Sequence, residues 1–438
     1  MTTPGVILAA PASGSGKTVT VLALLRHLHR AGIAVASCKV GPDYIDPRFH
    51  EAASGRPCLN LDPWAMRRDT LAGLIAGAGR DAELLVVEGV MGLFDGAADG
   101  TGSTADLAAT TGWPVVLVVD AKAQAQSVAA LVHGFGSFRA DVPVAAVILN
   151  RVGSPAHEAM LRSALMPLDM PVLGALPRLH ALTLPDRHLG LVPAEEHAGL
   201  EEFLDGAAAV VGRQLDVAAL RALARPAETI SEGPPTSVPP LGQRIAVARD
   251  IAFTFTYPHL CLGWQAQGAE LVPFSPLADE PPDAFADAVL LPGGYPELHA
   301  GRIAGNRHFL TGLQDAAARG AAVYGECGGY MVLGRGLVDA AGNRHAMAGL
   351  LGVETSFARR RLHLGYRRVV TMADGPQWPA GTGFRGHEFH YASVLAETDG
   401  EPLFQARDAR GADLGTMGLR QGRVYGSFLH IVDRDISA

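Results

Sequence analysis

The run Ala10-Pro-Ala-Ser-Gly-Ser-Gly-Lys-Thr18 has residue types and spacing suited to holding a nucleotide's phosphates. Ser13, Gly14, Ser15 and Gly16 are small enough for backbone N–H groups to curl around phosphate oxygens, and a helix opening after them adds its dipole. Lys17 then reaches the β- and γ-phosphates, and the Thr18 hydroxyl is placed to bind Mg²⁺. Pro11 stands where such loops usually begin with glycine. A Gly-Lys-Thr that merely starts a helix is the plainer alternative. It does not account for the predicted strand that leads into the loop. Mg²⁺ takes a few carboxylates besides phosphate oxygens and water. Asp43 and Asp46 lie in Lys39-Val-Gly-Pro-Asp-Tyr-Ile-Asp-Pro47, Glu88 ends an apolar run, and Asp95 follows in Gly89-Val-Met-Gly-Leu-Phe-Asp-Gly96. A lone aspartate usually caps a helix or closes a turn. Carboxylates gathered on the strand edge that bears a phosphate loop indicate metal or substrate contacts for at least two of them.

A second chemistry sits near the other end of the chain. In Ala322-Val-Tyr-Gly-Glu-Cys-Gly-Gly-Tyr330 an apolar run enters glycine, then Cys327, then two more glycines. A nucleophile on a sharp strand-to-helix turn needs small neighbours, and a helix N-terminus is expected to lower the thiol's pKa. A buried structural thiol is the ordinary reading of a lone cysteine, and it suits Cys38 and Cys58. A nucleophilic Cys327 needs a base. His430, after Val424-Tyr-Gly-Ser-Phe-Leu429, is the best candidate. Leu291-Pro-Gly-Gly-Tyr-Pro-Glu297 offers the Gly294 N–H for an oxyanion, with the Gly328 N–H as its partner. These segments, spread over Arg244–Ala438, resemble the class I glutamine amidotransferases. Val432 replaces the glutamate usual two residues after the histidine. The triad's third member is therefore absent or comes from elsewhere, and the sequence does not name it.

Elements that could position these residues follow from hydrophobic patterning. Val6–Ala10, Ala34–Val40, Leu84–Glu88, Val115–Asp120, Val144–Asn150 and Val172–Leu176 read as buried strands, separated by helical segments such as Val19–Ala31 and Ala123–Gly134. Strands alternating with helices imply a mostly parallel sheet covered on both faces. Residues 224–243 are rich in Pro, Ser and Gly and should form an extended linker, not a packed element. A second α/β pattern follows, with strands at Ile245–Ala248, Glu270–Phe274, Ala288–Leu291 and Ala321–Tyr324. The expected organisation is a nucleotide-binding domain over 1–223, the linker, and a glutaminase domain over 244–438. With 438 residues, 48% hydrophobic, two cores are expected. The net charge of -8 argues against non-specific nucleic-acid binding. Despite a mean hydropathy of +0.17, no apolar run is long enough to span a bilayer. With no leader visible either, a cytoplasmic protein with reduced cysteines is expected. Arg359–Arg361 suit a solvated patch and a polyanion site equally.

The whole chain resembles the cobyrinic acid a,c-diamide synthases, including the hydrogenobyrinic acid enzymes. The resemblance rests on KVGPDYIDPRFH (Lys39–His50), VEGVMGLFDG (Val87–Gly96), LPGGYPEL (Leu291–Leu298), GECGGYM (Gly325–Met331) and GHEFHYA (Gly386–Ala392). It implies a P-loop NTPase-like parallel sheet of the dethiobiotin-synthetase kind, joined to a class I amidotransferase α/β domain. It also implies that glutamine is hydrolysed at Cys327 through a thioester and that ammonia passes internally to the first domain. There ATP with Mg²⁺ would convert the a and c acetate side chains of a tetrapyrrole-derived macrocycle to acyl phosphates, which ammonia attacks. The matching positions place Lys17, Thr18, Asp43 and Glu88 on ATP and metal, Asp46, Tyr44 and Asp95 near the substrate, and Asn150 and Pro177 at the adenine. A homodimer is compatible with the sequence.

GHEFHY has a metal-binding reading through His387, Glu388 and His390. Strand alternation puts Glu388 and His390 on the face opposite His387, which favours a structural or interface role. Cobyric acid synthases carry a K-x-Q-N-M-type segment where this chain has Lys39-Val-Gly-Pro-Asp43. Nickel-sirohydrochlorin a,c-diamide synthases are closer, and the hydrogenobyrinic substrate is preferred to them and to cobyrinic acid. A partitioning-type ATPase switch with a decayed glutaminase would have a lysine where Ala12 stands, and dethiobiotin synthetase lacks the second domain.

Overall fold

The computed structural model of the chain describes residues 3–178, 186–187, 190–191, 194, 197, 199–228 and 238–436. The chain divides into two compact units, Met1–Trp64 with Arg68–Pro235, and Ala65–Arg67 with Thr236–Ala438.

The first unit is built on a seven-stranded sheet. Its order is Leu59–Leu61, Val35–Val40, Leu84–Glu88, Gly5–Ala9, Val115–Asp120, Val144–Val152 and Val172–Pro177. Every adjacent pair is parallel. The inner strands Gly5–Ala9 and Leu84–Glu88 are buried throughout, as strands covered on both faces must be, so their apolar runs are continuous. Gly5–Ala9 is central, and the chain leaves its carboxyl end into the helix Lys17–Arg30. That helix buries Val21, Leu22, Leu24, Leu25 and Leu28, an apolar face at helical spacing. Its N-cap, Gly16, has φ 85°, a conformation that favours glycine and lets the loop turn into the helix. The helix Thr104–Thr111 starts with a capping box between Ser103 and Asp106. Its Thr104 hydroxyl accepts from Val90 N–H at 3.0 Å, which anchors the loop following Glu88.

The second unit contains a ten-stranded mixed sheet. Glu270–Phe274, Arg244–Ala248, Ala288–Leu291, Ala322–Glu326 and Val424–Ser427 form its parallel half. Asp413–Gln421, Glu401–Asp408, His363–Thr371, Gly383–His390 and Leu429–Arg434 continue it antiparallel. Its core includes Val289, Leu291, Val323, Tyr330, Leu333 and Val353, grouped behind the Cys327 turn.

Residues 224–243 differ from the extended linker expected of them. At one end Arg225 pairs with Gly5, and Glu228 N–H donates to the Thr111 carbonyl at 2.8 Å. At the other end Val238 and Leu241 are buried, and the Val238 carbonyl accepts from Trp264 Nε1 at 3.1 Å. Backbone pairing and two apolar side chains outweigh the Pro-rich composition there, and positions 229–237 of the expected linker lie outside the described residues. Among the described residues, no helix is long and apolar enough to cross a membrane.

Candidate active sites

In the first unit the strand ends bring together residues distant in sequence. Thr18 Oγ1 donates to Glu88 Oε1 at 2.6 Å and lies 3.4 Å from Asp46 Oδ2. Lys17 Nζ is 3.5 Å from Glu88 Oε1. Lys39 Nζ lies deeper, 2.5 Å from Asp46, 2.9 Å from Glu88 and 3.8 Å from Asp43. Glu88 also bonds His50 Nε2 at 2.6 Å, and Cys58 Sγ approaches the ring's Nδ1 at 3.5 Å.

The electrostatics follow from this packing. Burial disfavours the Glu88 charge, but Lys39, Lys17 and His50 together hold its pKa well below the carboxylate range. Burial likewise opposes Lys39, yet Asp46, Glu88 and Asp43 hold it well above the usual lysine value. Lys17 is lowered by burial and by Lys39. Desolvation and the neighbouring Asp46 push Asp43 up to about 6. Burial opposes a charge on His50, but Cys58 and Glu88 raise it to about 10. The cluster is thus a network in which Lys39 and Glu88 hold one another charged.

The phosphate loop is braced from the side. Asn150, ending its strand, donates from Nδ2 to the Ser15 carbonyl at 2.8 Å. A Cβ at Gly16 would lie 2.1 Å from that Nδ2, so only glycine fits. The amide expected near adenine thus also holds the loop backbone. Ser15 Oγ closes the loop on the Ala12 carbonyl, while Ser13 and Gly14 are exposed. Asp43 accepts from the backbone N–H of Ile45 and Asp46 where the helix Asp46–Ser54 begins, and the adjacent Tyr44 is half-buried. Asp95 accepts from Gly92 N–H at 2.9 Å. A Cβ at Gly92 would meet both Asp95 and the Pro11 carbonyl at 2.6 Å, so Asp95 lies beside the start of the phosphate loop. Pro177 ends the last strand, paired with Val152.

The second site forms around a cramped turn. Cys327 has φ 48°, unusual for a residue with a side chain, between the strand Ala322–Glu326 and the helix Gly328–Leu333. A Cβ at Gly329 would lie 1.9 Å from the Leu291 carbonyl, and one at Gly328 would lie 3.2 Å from Gly294 N. The two expected oxyanion donors are therefore neighbours, and the Gly328 N–H also interacts with the Cys327 sulfur. Gly293 fixes the dyad. A Cβ there would stand 2.5 Å from His430 Cε1 and 3.4 Å from Cys327 Cβ, so thiol and imidazole crowd the same point.

The thiol is not lowered as its helix position predicted. Burial pushes it up, and Glu297, Glu388 and Glu326 add to this against the Gly328 N–H. A six-residue helix cannot outweigh that desolvation. Burial, with His387 and His390, pushes His430 down. The resting pair is a neutral thiol beside a neutral imidazole.

Glu388 and His390 lie on one face of their strand, as alternation predicted, with Glu388 Oε1 2.9 Å from His390 Nε2. His363 on the adjacent strand joins them, and one ligand atom of each lies within 4.8 Å of the others. Arg367 pairs with Glu388 at 2.7 Å, and the two imidazoles stack in parallel with centroids 4.6 Å apart. A guanidinium on the carboxylate and stacked rings mark an ion-paired cluster better than a cation site. His387, on the other face, stacks on His430 at 4.9 Å and bonds Tyr257 at 2.7 Å.

Sequence reasoning missed Lys39 and His50 as site residues. A lysine inside the apolar strand Val35–Val40 was the available signal, since a buried ammonium requires acidic partners.

Residues 6–192 match the CobQ/CobB/MinD/ParA nucleotide binding domain, and residues 244–435 match the CobB/CobQ-like glutamine amidotransferase domain. The hydrogenobyrinate a,c-diamide synthase of Brucella abortus biovar 1 (strain 9-941) is 58% identical over 431 residues, covering 98% of each chain. The protein of the same name from Rhizobium meliloti (strain 1021) is 56% identical over 98% of this chain and 99% of its own. That from Rhodobacter capsulatus is 53% identical over 98% of each.

Proposed function

The chain belongs to the family of the hydrogenobyrinate a,c-diamide synthases, and we propose that it amidates the a and c acetate side chains of hydrogenobyrinic acid, using ATP and glutamine. It is an amide-forming ligase of cobalamin biosynthesis. Convergence of Cys327 and His430 on Gly293, in a chain that also carries a phosphate loop, is the observation that carries this reading.

The chemistry divides between residues 1–223 and 244–438, joined by 224–243. His430 takes the Cys327 proton as sulfur attacks the glutamine amide carbon, and returns it to the departing ammonia. Water then cleaves the thioester and releases glutamate. Gly294 and Gly328 N–H groups receive the oxyanion. In the other half, Ser13–Gly16 and Lys17 hold the ATP phosphates. A free carboxylate is inert toward ammonia, so the macrocycle acetate must first attack the γ-phosphorus and release ADP. Ammonia then displaces phosphate from the acyl carbon.

Thr18, Asp43 and Glu88 would hold Mg²⁺: the Thr18 hydroxyl lies 2.6 Å from Glu88, and hydroxyl and carboxylate oxygens are the hard donors this ion prefers. Bound there, it would neutralise charge on the β- and γ-phosphates. Tyr44, Asp46 and Asp95 face the substrate in this reading, with Lys39 holding Asp46 and Glu88 in place. Asn150, which also braces the phosphate loop, and Pro177 are the adenine contacts in this reading.

Mass spectrometry of products from hydrogenobyrinic acid, cobyrinic acid and nickel-sirohydrochlorin, each with ATP and glutamine, tests the assignment. A diamide should form fastest from hydrogenobyrinic acid. Turnover confined to the nickel compound would overturn it.

A further inference from the structure

Val432 stands where an orienting glutamate would follow His430. It is buried, and its carbonyl accepts from His259 Nε2 at 2.9 Å. A different acid faces the base. Glu326 precedes the nucleophile, and its Oε2 lies 3.8 Å from His430 Nδ1. Its Oε1 accepts from Ile431 N–H at 3.2 Å and from the Tyr324 hydroxyl at 3.2 Å. One of these anchors is the backbone immediately after His430, so the acid is tied to the base it faces. The other is a buried phenol on the acid's own strand.

We propose that Glu326 is the positioning residue of the glutaminase, supplying from the nucleophile's own strand the third member that the C-terminal segment lacks. The proposal rests on the Cys327–His430 reading above. Proton transfer from Cys327 puts a charge on the ring, and the Nδ1–H must then point at an acceptor. A closure of roughly 1 Å turns the present separation into a hydrogen bond, and catalytic bonds commonly tighten in this way when substrate binds. Burial pushes Glu326 up to about 8, and a positive charge arising on the facing His430 ring favours its ionised form.

The titratable neighbours do not offer the same service. His387 stacks on the flat of the His430 ring, and burial lowers it to about 3, so it stays neutral. Glu388 is held at about 2 beside His390 and Arg367. Glu297 acts on the Cys327 sulfur, and Tyr324 is held protonated well above its usual value.

Glu326→Gln and Glu326→Ala, in the full chain, provide the test. Glutaminase kcat should fall about a hundredfold or more, with KM for glutamine within about twofold and ammonia-dependent amidation unchanged. The rate of Cys327 alkylation by iodoacetamide should reach its midpoint at higher pH, by about one unit, because the thiolate–imidazolium pair has lost its support. A purely structural role would not move that midpoint. Glu326→Asp, which keeps the acid one methylene back, should recover part of the loss. A glutaminase kcat within about threefold of the parent in both variants, or an unmoved midpoint, would overturn the proposal. Should both variants fail to fold, the Asp variant's alkylation midpoint decides, and an unmoved value alongside full activity counts against it. Cys327→Ala retaining glutamine-dependent amidation would instead defeat the glutaminase reading itself.

Discussion

Gly293→Ala offers the sharpest test of how the dyad is held. The new methyl would lie 2.5 Å from His430 Cε1, 3.3 Å from Phe255 Cβ and 3.4 Å from Cys327 Cβ. Carbon atoms sit comfortably at about 3.5–4.0 Å, so the imidazole must retreat by roughly 1 Å while the other contacts tighten only slightly. Gly293 is not in a left-handed conformation, so backbone strain adds nothing and the effect is a displacement of the base. A misplacement of about 1 Å costs roughly a hundredfold in rate, whereas overpacking of this size costs about 1–3 kcal/mol in stability. Glutamine hydrolysis should therefore fall about a hundredfold while the protein still folds. Ammonia-dependent amidation should continue at the parental rate. The assay compares glutamine with ammonium chloride as nitrogen source, beside a thermal melt. Glutaminase within about threefold of the parent in a folded variant would mean that His430 is not seated against Gly293, and the dyad geometry would fall with it.

Cys327→Ala should abolish glutamine-dependent amidation and spare the ammonia-dependent reaction; equal loss of both would show that the thiol is not a dedicated glutaminase nucleophile. Lys17→Ala should stop turnover with either nitrogen source, and retained activity with ammonia would contradict the phosphate loop. Lys39→Met leaves Glu88 and Asp46 without their shared ammonium and should destabilise the first unit by about 3–5 kcal/mol, read by denaturant titration. His50 has a folded pKa of about 10, above the usual histidine value of about 6.5. The stability it contributes is full below about pH 6.5 and is lost as pH rises through 10; His50→Gln should flatten that alkaline limb in melts across pH.

What the sequence disclosed was what the chain holds contiguously. The phosphate loop, the Cys327 turn and the strands of the parallel half are each written in one short run of residues. The antiparallel strands His363–Thr371 and Glu401–Asp408 escaped notice because they are partly exposed and lack the continuous apolar runs of covered strands. Lys39 was quoted within a motif without a role, since its place between Asp46 and Glu88 depends on two strands lying side by side. Glu326 was likewise in view beside Cys327. Only the register that sets Glu326 against Ser427 carries the chain onward to bring His430 within its reach. The thiol's raised pKa follows from desolvation, which no local pattern reveals.

The grip of Asn150 on the Ser15 carbonyl bears on nucleotide affinity. A flexible glycine-rich loop would have to be ordered by the phosphates, at about 1–2 kcal/mol of backbone entropy per residue. Here the bond from a strand end to the Ser15 carbonyl fixes the loop's curvature, so less binding energy is diverted into shaping it. Asn150 can therefore govern how tightly ATP is held by deciding how much disorder the phosphates must remove.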